Sequence, residues 1–369
     1  MSERRLRYAI VGAGVMGTVH ARSLASLHDD VELVGVADTN RELAEQCATT
    51  AGAPAFDDYH ALLEALSPDV VVVATPHLSH AAVSIDCLEH GAHVIVEKPM
   101  AIDVAEADAM LLAARTAARH LVVDLQYRFV PAVEAAKELI DAGRVGRIIR
   151  ATCVESTMRS AAYYRSAPWR GTWAGEGGGV LVNQAPHPLD LFCYLGGPAA
   201  RVVAWAETIS HAIECEDTVV AQVAFEGGGV GQLAFSTAEP TPLRIELIGD
   251  RAKLELTLNS LTITDWSPSL SRHIEDDRTM YDPPESVSAA IELRPYGGEG
   301  AAHDDFHRDV VAALLDGRAP RVDAASVLPS VELANAIVLS SERGGACIEL
   351  PLERHAFTEL LAAKRGAVR

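Results

Sequence analysis

Tyr8-Ala9-Ile10-Val11-Gly12-Ala13-Gly14-Val15-Met16-Gly17 decides the fold. Four apolar residues predict a buried strand, the glycines a tight turn, and the following residues to about Leu27 a helix. G-x-G-x-x-G between a strand and a helix lets the backbone approach a pyrophosphate, and the helix N-terminus offers N–H groups and a positive dipole end. Gly12, Gly14, Val15, Met16 and Gly17 are therefore candidate contacts to a dinucleotide. Val31 to Ala37 predicts the second strand, and Asp38 closes it, where a carboxylate accepts ribose hydroxyls and repels a 2′-phosphate. NAD is thus favoured over NADP, with Arg41 near enough in sequence to blur the choice.

The rhythm continues outward. Val70-Val71-Val72-Val73, His93 to Val96 and Leu121-Val122-Val123 read as buried strands, separated by helical patterns. Strands alternating with helices predict a doubly wound parallel sheet. Ligands in such sheets lie beyond the carboxyl ends of the strands, which makes Thr75, Pro76, His77, His80, Glu97 and Lys98 candidate lining residues. His77 and His80 have no acid or cysteine to complete a metal set, so no metal is expected. After about Gln126 hairpin-linked strands dominate, from Ile148 to Leu258, and predict a mostly antiparallel sheet. The fold class is α/β: a Rossmann domain over 1–125 and an α+β substrate and oligomerisation domain over 126–369. Ser267 to Gly300 is polar and rich in Pro and Gly, and reads as a long loop.

Composition narrows the function. At 369 residues two domains are expected, and 51 acidic against 31 basic side chains give a net charge of −20. Nucleic acid and anionic membranes are poor partners for such a surface. No apolar run reaches the ~18–20 residues of a membrane span, no signal peptide is evident, and six scattered cysteines lack a C-x-x-C pair, so a cytoplasmic location is expected.

Lys98, at the end of a strand facing the crevice, suits proton exchange with a hydroxyl or carbonyl. Gly177-Gly178-Gly179-Val180-Leu181-Val182-Asn183-Gln184-Ala185-Pro186-His187-Pro188-Leu189-Asp190 sets Asn183 and His187 four apart. The prolines predict a helix starting near Pro186, so this pairing spans a bend, and Asp190 is placed to orient His187. Tyr163 to Trp173 gathers two tyrosines, two tryptophans and two arginines. Tyr164, Arg165, Trp169 and Arg170 are substrate candidates, because aromatics stack on sugars and arginines bind hydroxyls or carboxylates; core or oligomer packing is the competing reading. Gln126 and Arg128 are further candidates, with a structural ion pair as the alternative for Arg128.

The combination of G-x-G-x-x-G, Glu97-Lys98-Pro99, Gln126-Tyr127-Arg128-Phe129-x-Pro131, Gly-Gly-Gly…His187-Pro-Leu-Asp190 and Asp316-Gly317-Arg318-x-Pro320 resembles the Gfo/Idh/MocA oxidoreductase family. The resemblance, from about residue 6 to 345, implies a Rossmann domain and a large open sheet whose face commonly joins subunits into dimers or tetramers. It also implies hydride transfer between a nicotinamide and a carbinol carbon of a sugar, sugar derivative or inositol. By motif, Lys98 matches the catalytic lysine and His187 the catalytic histidine. The family often has Asp four residues before that histidine; here Asn183 stands there and cannot take a proton, so which group is the acid/base stays open. Two alternatives keep the scaffold: an enzyme retaining NAD to cleave a glycoside or pass hydride between sugars, and a non-catalytic NAD-binding regulator.

Overall fold

The computed structural model describes residues 5–49, 51–276 and 278–367. The chain divides into two compact units, one of residues 1–126 and 297–331, the other of 127–296 and 332–369.

In the first unit β1 (Leu6–Val11), β2 (Val31–Ala37), β3 (Ala55–Phe56), β4 (Val70–Val73), β5 (His93–Val96) and β6 (Leu121–Val123) form one sheet in the order β3-β2-β1-β4-β5-β6. Every strand pair in it is parallel. Val70 to Val73 are fully buried, as a continuous β-branched run requires when helices cover both faces. The helices α1 (Val15–Ala25), α2 (Arg41–Thr49), α3 (Tyr59–Leu66), α4 (His80–Glu89) and α5 (Val104–Ala117) link the strands. The strand order reverses between β1 and β4, so ligands are expected beyond the carboxyl ends of those two strands.

The sequence reading ended this domain at 125; the structure also brings 297–331 into it. The physical reason is the helix Glu299–Asp316, which packs on α1 through buried His303, Phe306, His307, Val310 and Val311.

In the second unit α6 (Pro131–Asp141) precedes a nine-stranded sheet. Its strands are β7 (Ile148–Ser156), β8 (Ala199–Glu207), β9 (Thr218–Phe225), β10 (Val230–Ser236), β11 (Thr241–Gly249), β12 (Ala252–Leu256), β13 (Leu261–Ser267), β14 (Glu285–Ala290) and β15 (Ile348–Glu349). The order is β14-β13-β12-β11-β7-β10-β9-β8-β15, with β7 and β10 parallel and the other pairs antiparallel. Val219, Ala221, Val223 and Phe225 are buried while Val220 and Gln222 are exposed, the period-2 pattern of a sheet covered on one face. β14 lies inside the stretch read as a loop. All six of its residues are exposed, so it carries no apolar alternation to read, and backbone pairing with β13 makes it a strand.

One segment, Ala324–Glu342, does meet the length and hydropathy of a membrane span, against the sequence reading; 61% of its window is buried inside the fold.

Candidate active site

In the first unit the glycine turn is built for close approach. Gly12 has φ 100°, and a Cβ there would lie 2.4 Å from the Ala74 carbonyl oxygen. A Cβ on Gly17 would lie 2.0 Å from the Gly12 oxygen, so glycine is what lets α1 pack against its own turn. Around Gly14 there is open space within 4 Å, and as the N-cap of α1 it provides no side-chain cap. Val15 is 81% exposed and Met16 is half-buried, so the first turn of α1 presents its backbone N–H groups outward at Val15. Asp38 Oδ2 accepts from Ala13 N at 2.7 Å and Oδ1 from Asn40 N at 2.8 Å, fixing the carboxylate beside the turn. Arg41 pairs with Glu45 at 3.0 Å. These features fit a dinucleotide: a close-approach turn, an open helix N-terminus and a fixed acid at the end of β2. Gly17→Ala is expected to weaken NAD binding at least about a hundredfold, since the clash must displace α1 from the turn. Calorimetric titration checks this, and unchanged affinity would contradict it.

The Thr75 and Lys98 loops are tied together. His80 is fully buried, with Nδ1 2.8 Å from the Pro99 oxygen and Nε2 2.8 Å from the Thr75 oxygen. Burial pushes the imidazole below its ordinary value, against the pull of those carbonyls. His80 thus acts within the fold, joining the two loops, while Pro76 and His77 lie on the turn between β4 and α4. The Lys98–Pro99 peptide is cis.

Beneath Lys98 lies a buried polar network. Glu97 Oε2 accepts from Lys98 N at 3.1 Å, and Oε1 lies 3.0 Å from His20 Nε2. His20 Nδ1 faces His307 Nε2 at 2.8 Å. Asp124, at the end of β6, pairs with His303 Nδ1 at 3.0 Å, and His303 Nε2 lies 3.2 Å from Gln126 Nε2. Gln126 is thereby buried on His303.

The charges sort by environment. Burial alone would raise Glu97 and Asp124; His20, Lys98 and His303 outweigh it for Glu97, and chiefly His303 for Asp124, so both carboxyls sit below their ordinary values. Burial would lower His303, but Asp124 and Glu97 push it up to about 9. His307 is pushed down to about 3 by burial and then by His20. Ligand atoms of His20, Glu97 and Asp124 lie within 4.8 Å of one another, close enough for a metal. The direct His20–Glu97 and His303–Asp124 contacts already supply the carboxylates with partners.

In the second unit His187 is the second residue of a helix, Pro186–Gly196, and stacks on Tyr127 with ring centroids 4.3 Å apart. A separate short helix, Val180–Asn183, ends before it, so Asn183 and His187 do flank a bend. Asp190 does not orient His187. It accepts from Arg128 Nε at 2.8 Å and Nη2 at 2.6 Å, a buried bidentate pair, because Gln126-Tyr127-Arg128-Phe129 brings that arginine onto the helix. Arg128, proposed for substrate, is spent there and on the Tyr194 ring at 4.4 Å.

Glu216 holds the start of the Val180 helix, accepting from Gly179 N at 2.9 Å and Leu181 N at 3.1 Å. A Cβ on Gly179 would lie 1.8 Å from the Glu216 carbonyl oxygen, which is why this position is glycine. Burial pushes the Glu216 carboxyl up to about 7, against those N–H donors.

The aromatic segment divides. Tyr164 Oη is hydrogen-bonded to Thr237 at 2.9 Å and packs within the unit; Arg165 is exposed on the helix Ala161–Arg165. Tyr163 is the centre: Asn183 Nδ2 (3.0 Å), Gln184 Nε2 (3.1 Å) and Arg170 Nη1 all donate to its hydroxyl. Asn183 Nδ2 also donates to Glu176, whose other oxygen accepts from Gly171 N at 2.5 Å. Trp169 lies under the Arg170 guanidinium at 4.5 Å.

Sequence reasoning missed His20, Asp124, His303, His307, Tyr163 and Glu176. Two signals were there: His20 three residues after Gly17 on α1, and His303 with His307 four apart, the spacing of one helix face.

Comparison with known proteins identifies the family. Residues 6–125 match the oxidoreductase family model with an NAD-binding Rossmann fold, and 133–255 match the GFO/IDH/MocA C-terminal domain. The chain is 29% identical to D-glucoside 3-dehydrogenase of Escherichia coli over 85% of its length and 95% of that enzyme's. It is 27% identical to scyllo-inositol 2-dehydrogenase (NAD(+)) of Bacillus subtilis, over 68% of its length and 74% of that enzyme's. Among solved structures, the WlbA dehydrogenase of Bordetella pertussis, in complex with NADH and UDP-GlcNAcA, superposes with a TM-score of 0.79 at 28% identity, covering 95% of this chain and all of that one. With the glycine turn, Glu97-Lys98-Pro99 and the His187 helix all in place, the chain belongs to the Gfo/Idh/MocA family of NAD-dependent oxidoreductases.

Proposed function

We propose that the protein is an NAD-dependent dehydrogenase acting on a secondary hydroxyl of a sugar, sugar derivative or inositol. The observation that carries this is the glycine turn opening on an uncapped helix beside a fixed Asp38, on the same sheet edge as Lys98. In this reading Gly12 to Gly17 receive the pyrophosphate and Asp38 the ribose hydroxyls. A bound nicotinamide supplies the hydride acceptor or donor.

The rest falls to the side chains. Lys98 takes the hydroxyl proton in oxidation and, as an ammonium, steadies the oxygen in the reverse direction. His187, matched by motif to the family's catalytic histidine, hydrogen-bonds a substrate oxygen, its ring stacked on Tyr127. Asn183 takes no proton; its amide is held by Glu176 and Tyr163 and serves positioning. Trp205 and Val220, cross-strand partners, are half-exposed on the uncovered face of the nine-stranded sheet, which supports self-association as a dimer or tetramer.

The test is side-by-side calorimetric titration with NAD and NADP, followed by NADH formation with methyl D-glucoside, myo-inositol and scyllo-inositol. NAD is expected to bind at least about tenfold more tightly, because a 2′-phosphate would meet the Asp38 carboxylate. NADP preference would remove Asp38 from the ribose, and binding of neither would overturn the dehydrogenase reading.

A further inference from the structure

Two arginines in the second unit lack the partner their burial calls for. Arg159 is half-buried; its Nη1 donates to the Met158 oxygen at 3.3 Å, and its Nε is buried with no hydrogen-bond partner. Arg170 is also half-buried and donates from Nε to Ser166 Oγ at 3.1 Å and from Nη1 to the Tyr163 hydroxyl. Both guanidinium groups stand against the same ring, Tyr163, at 4.9 and 4.1 Å from its centroid. Neither forms an ion pair with a carboxylate among the described residues.

That is unexpected in a chain with 51 acidic side chains. Two cations sharing one ring repel each other, and partial burial weakens the screening of that repulsion. The acid bonded into this cluster, Glu176, is buried, with its oxygens on Asn183 Nδ2 and Gly171 N. Asn183 and Gln184 add further N–H donors around the Tyr163 oxygen. An aspartate at 183 would set a second carboxylate against this cluster; asparagine gives a donor instead. Asn183 spends its amide hydrogens on Tyr163 and Glu176, so what the cluster offers an oxygen-rich anion is the positive charge and remaining guanidinium N–H groups of Arg159 and Arg170, and arginine pairs with carboxylate or phosphate through paired N–H groups.

We propose that the substrate carries an anionic group, a carboxylate or a phosphate on the sugar, and that Arg159 and Arg170 hold it beside Tyr163. This rests on the reading of the protein as a sugar dehydrogenase, and it makes Arg159 a specificity-determining residue.

The experiment titrates the full-length, NAD-loaded protein with D-glucuronate, D-glucose 6-phosphate and D-glucose by calorimetry, and follows NADH in parallel. At least one anion is expected to bind about tenfold or more tighter than glucose; which one separates carboxylate from phosphate. Raised salt weakens the anions alone. Arg159→Gln loses about tenfold or more for the preferred anion and leaves glucose unchanged, whereas Arg272→Gln, an exposed arginine elsewhere in the unit, alters neither. Arg159→Lys, which keeps the charge, recovers part of the affinity, and circular dichroism shows that the variants fold. Glucose binding as tightly as both anions, no binding of either anion, or an unchanged anion affinity in folded Arg159→Gln overturns the proposal. Anion binding lost in Arg159→Gln, but with no NADH formed from any of the sugars tested, supports the anion site and counts against the dehydrogenase reading alone.

Discussion

Lys98→Ala is expected to lower kcat for NAD-linked oxidation by about a thousandfold, near 4 kcal/mol of barrier, while NAD affinity changes by less than about threefold. The two effects separate because of where the residue stands. NAD affinity is carried by the glycine turn and Asp38, whose backbone and carboxylate geometry does not involve the lysine side chain. The Lys98 backbone is held independently, by its N–H bond to the Glu97 carboxylate, and the neighbouring Pro99 oxygen is bonded to His80. Removing the side chain leaves those backbone bonds in place and takes away the amine, with its charge beside Glu97. Steady-state NADH formation, with calorimetric NAD titration on the same preparation, gives both numbers. A variant that keeps kcat within about threefold would move the proton-transfer role to another group.

Asp124→Asn is expected to destabilise the protein by about 3–5 kcal/mol, because it leaves a protonated, buried His303 without its counter-ion. The pH dependence carries a sign. His303 is raised from an ordinary 6.5 to about 9, so the stabilisation from this pair is complete below pH 6.5 and is lost as the pH rises through about 9. Wild-type stability should therefore fall across that window. The variant, which loses Asp124 as the main group raising His303 and keeps only the weaker pull of Glu97 and Glu299, should show a flatter profile there. Chemical denaturation at several pH values measures both. Equal slopes in wild type and variant would show that the ion pair does not govern this window.

Much of the scaffold was legible in the sequence, since its signals are local. The strand, turn and helix over Tyr8–Ala25, the Val70–Val73 strand and the Thr218–Phe225 strand each carry their periodicity and turn residues within a short window. The glycines of the turn and Asp38 were readable for the same reason. β14 was not, because its residues are all exposed and only pairing defines it. The network under Lys98 was illegible for another reason: His20 and His307 are 287 residues apart, and buried polar contacts leave no periodic trace. Asp190 shows the limit of spacing arguments. Three residues after His187 it was placed to orient that ring, but a bidentate arginine brought by the preceding segment takes both of its oxygens.

The helix Glu299–Asp316 has a consequence for the order of events during synthesis. The carboxylates of Glu97 and Asp124 emerge early, whereas His303, which pairs with Asp124, and His307, which holds His20, are translated only after most of the second unit. Until then the nascent nucleotide-binding unit holds acidic groups that must stay hydrated and an α1 face without its cover. Its completion is thus a late event coupled to the arrival of residues 297–331, and it ties the commitment of Lys98's loop to nearly full-length chains.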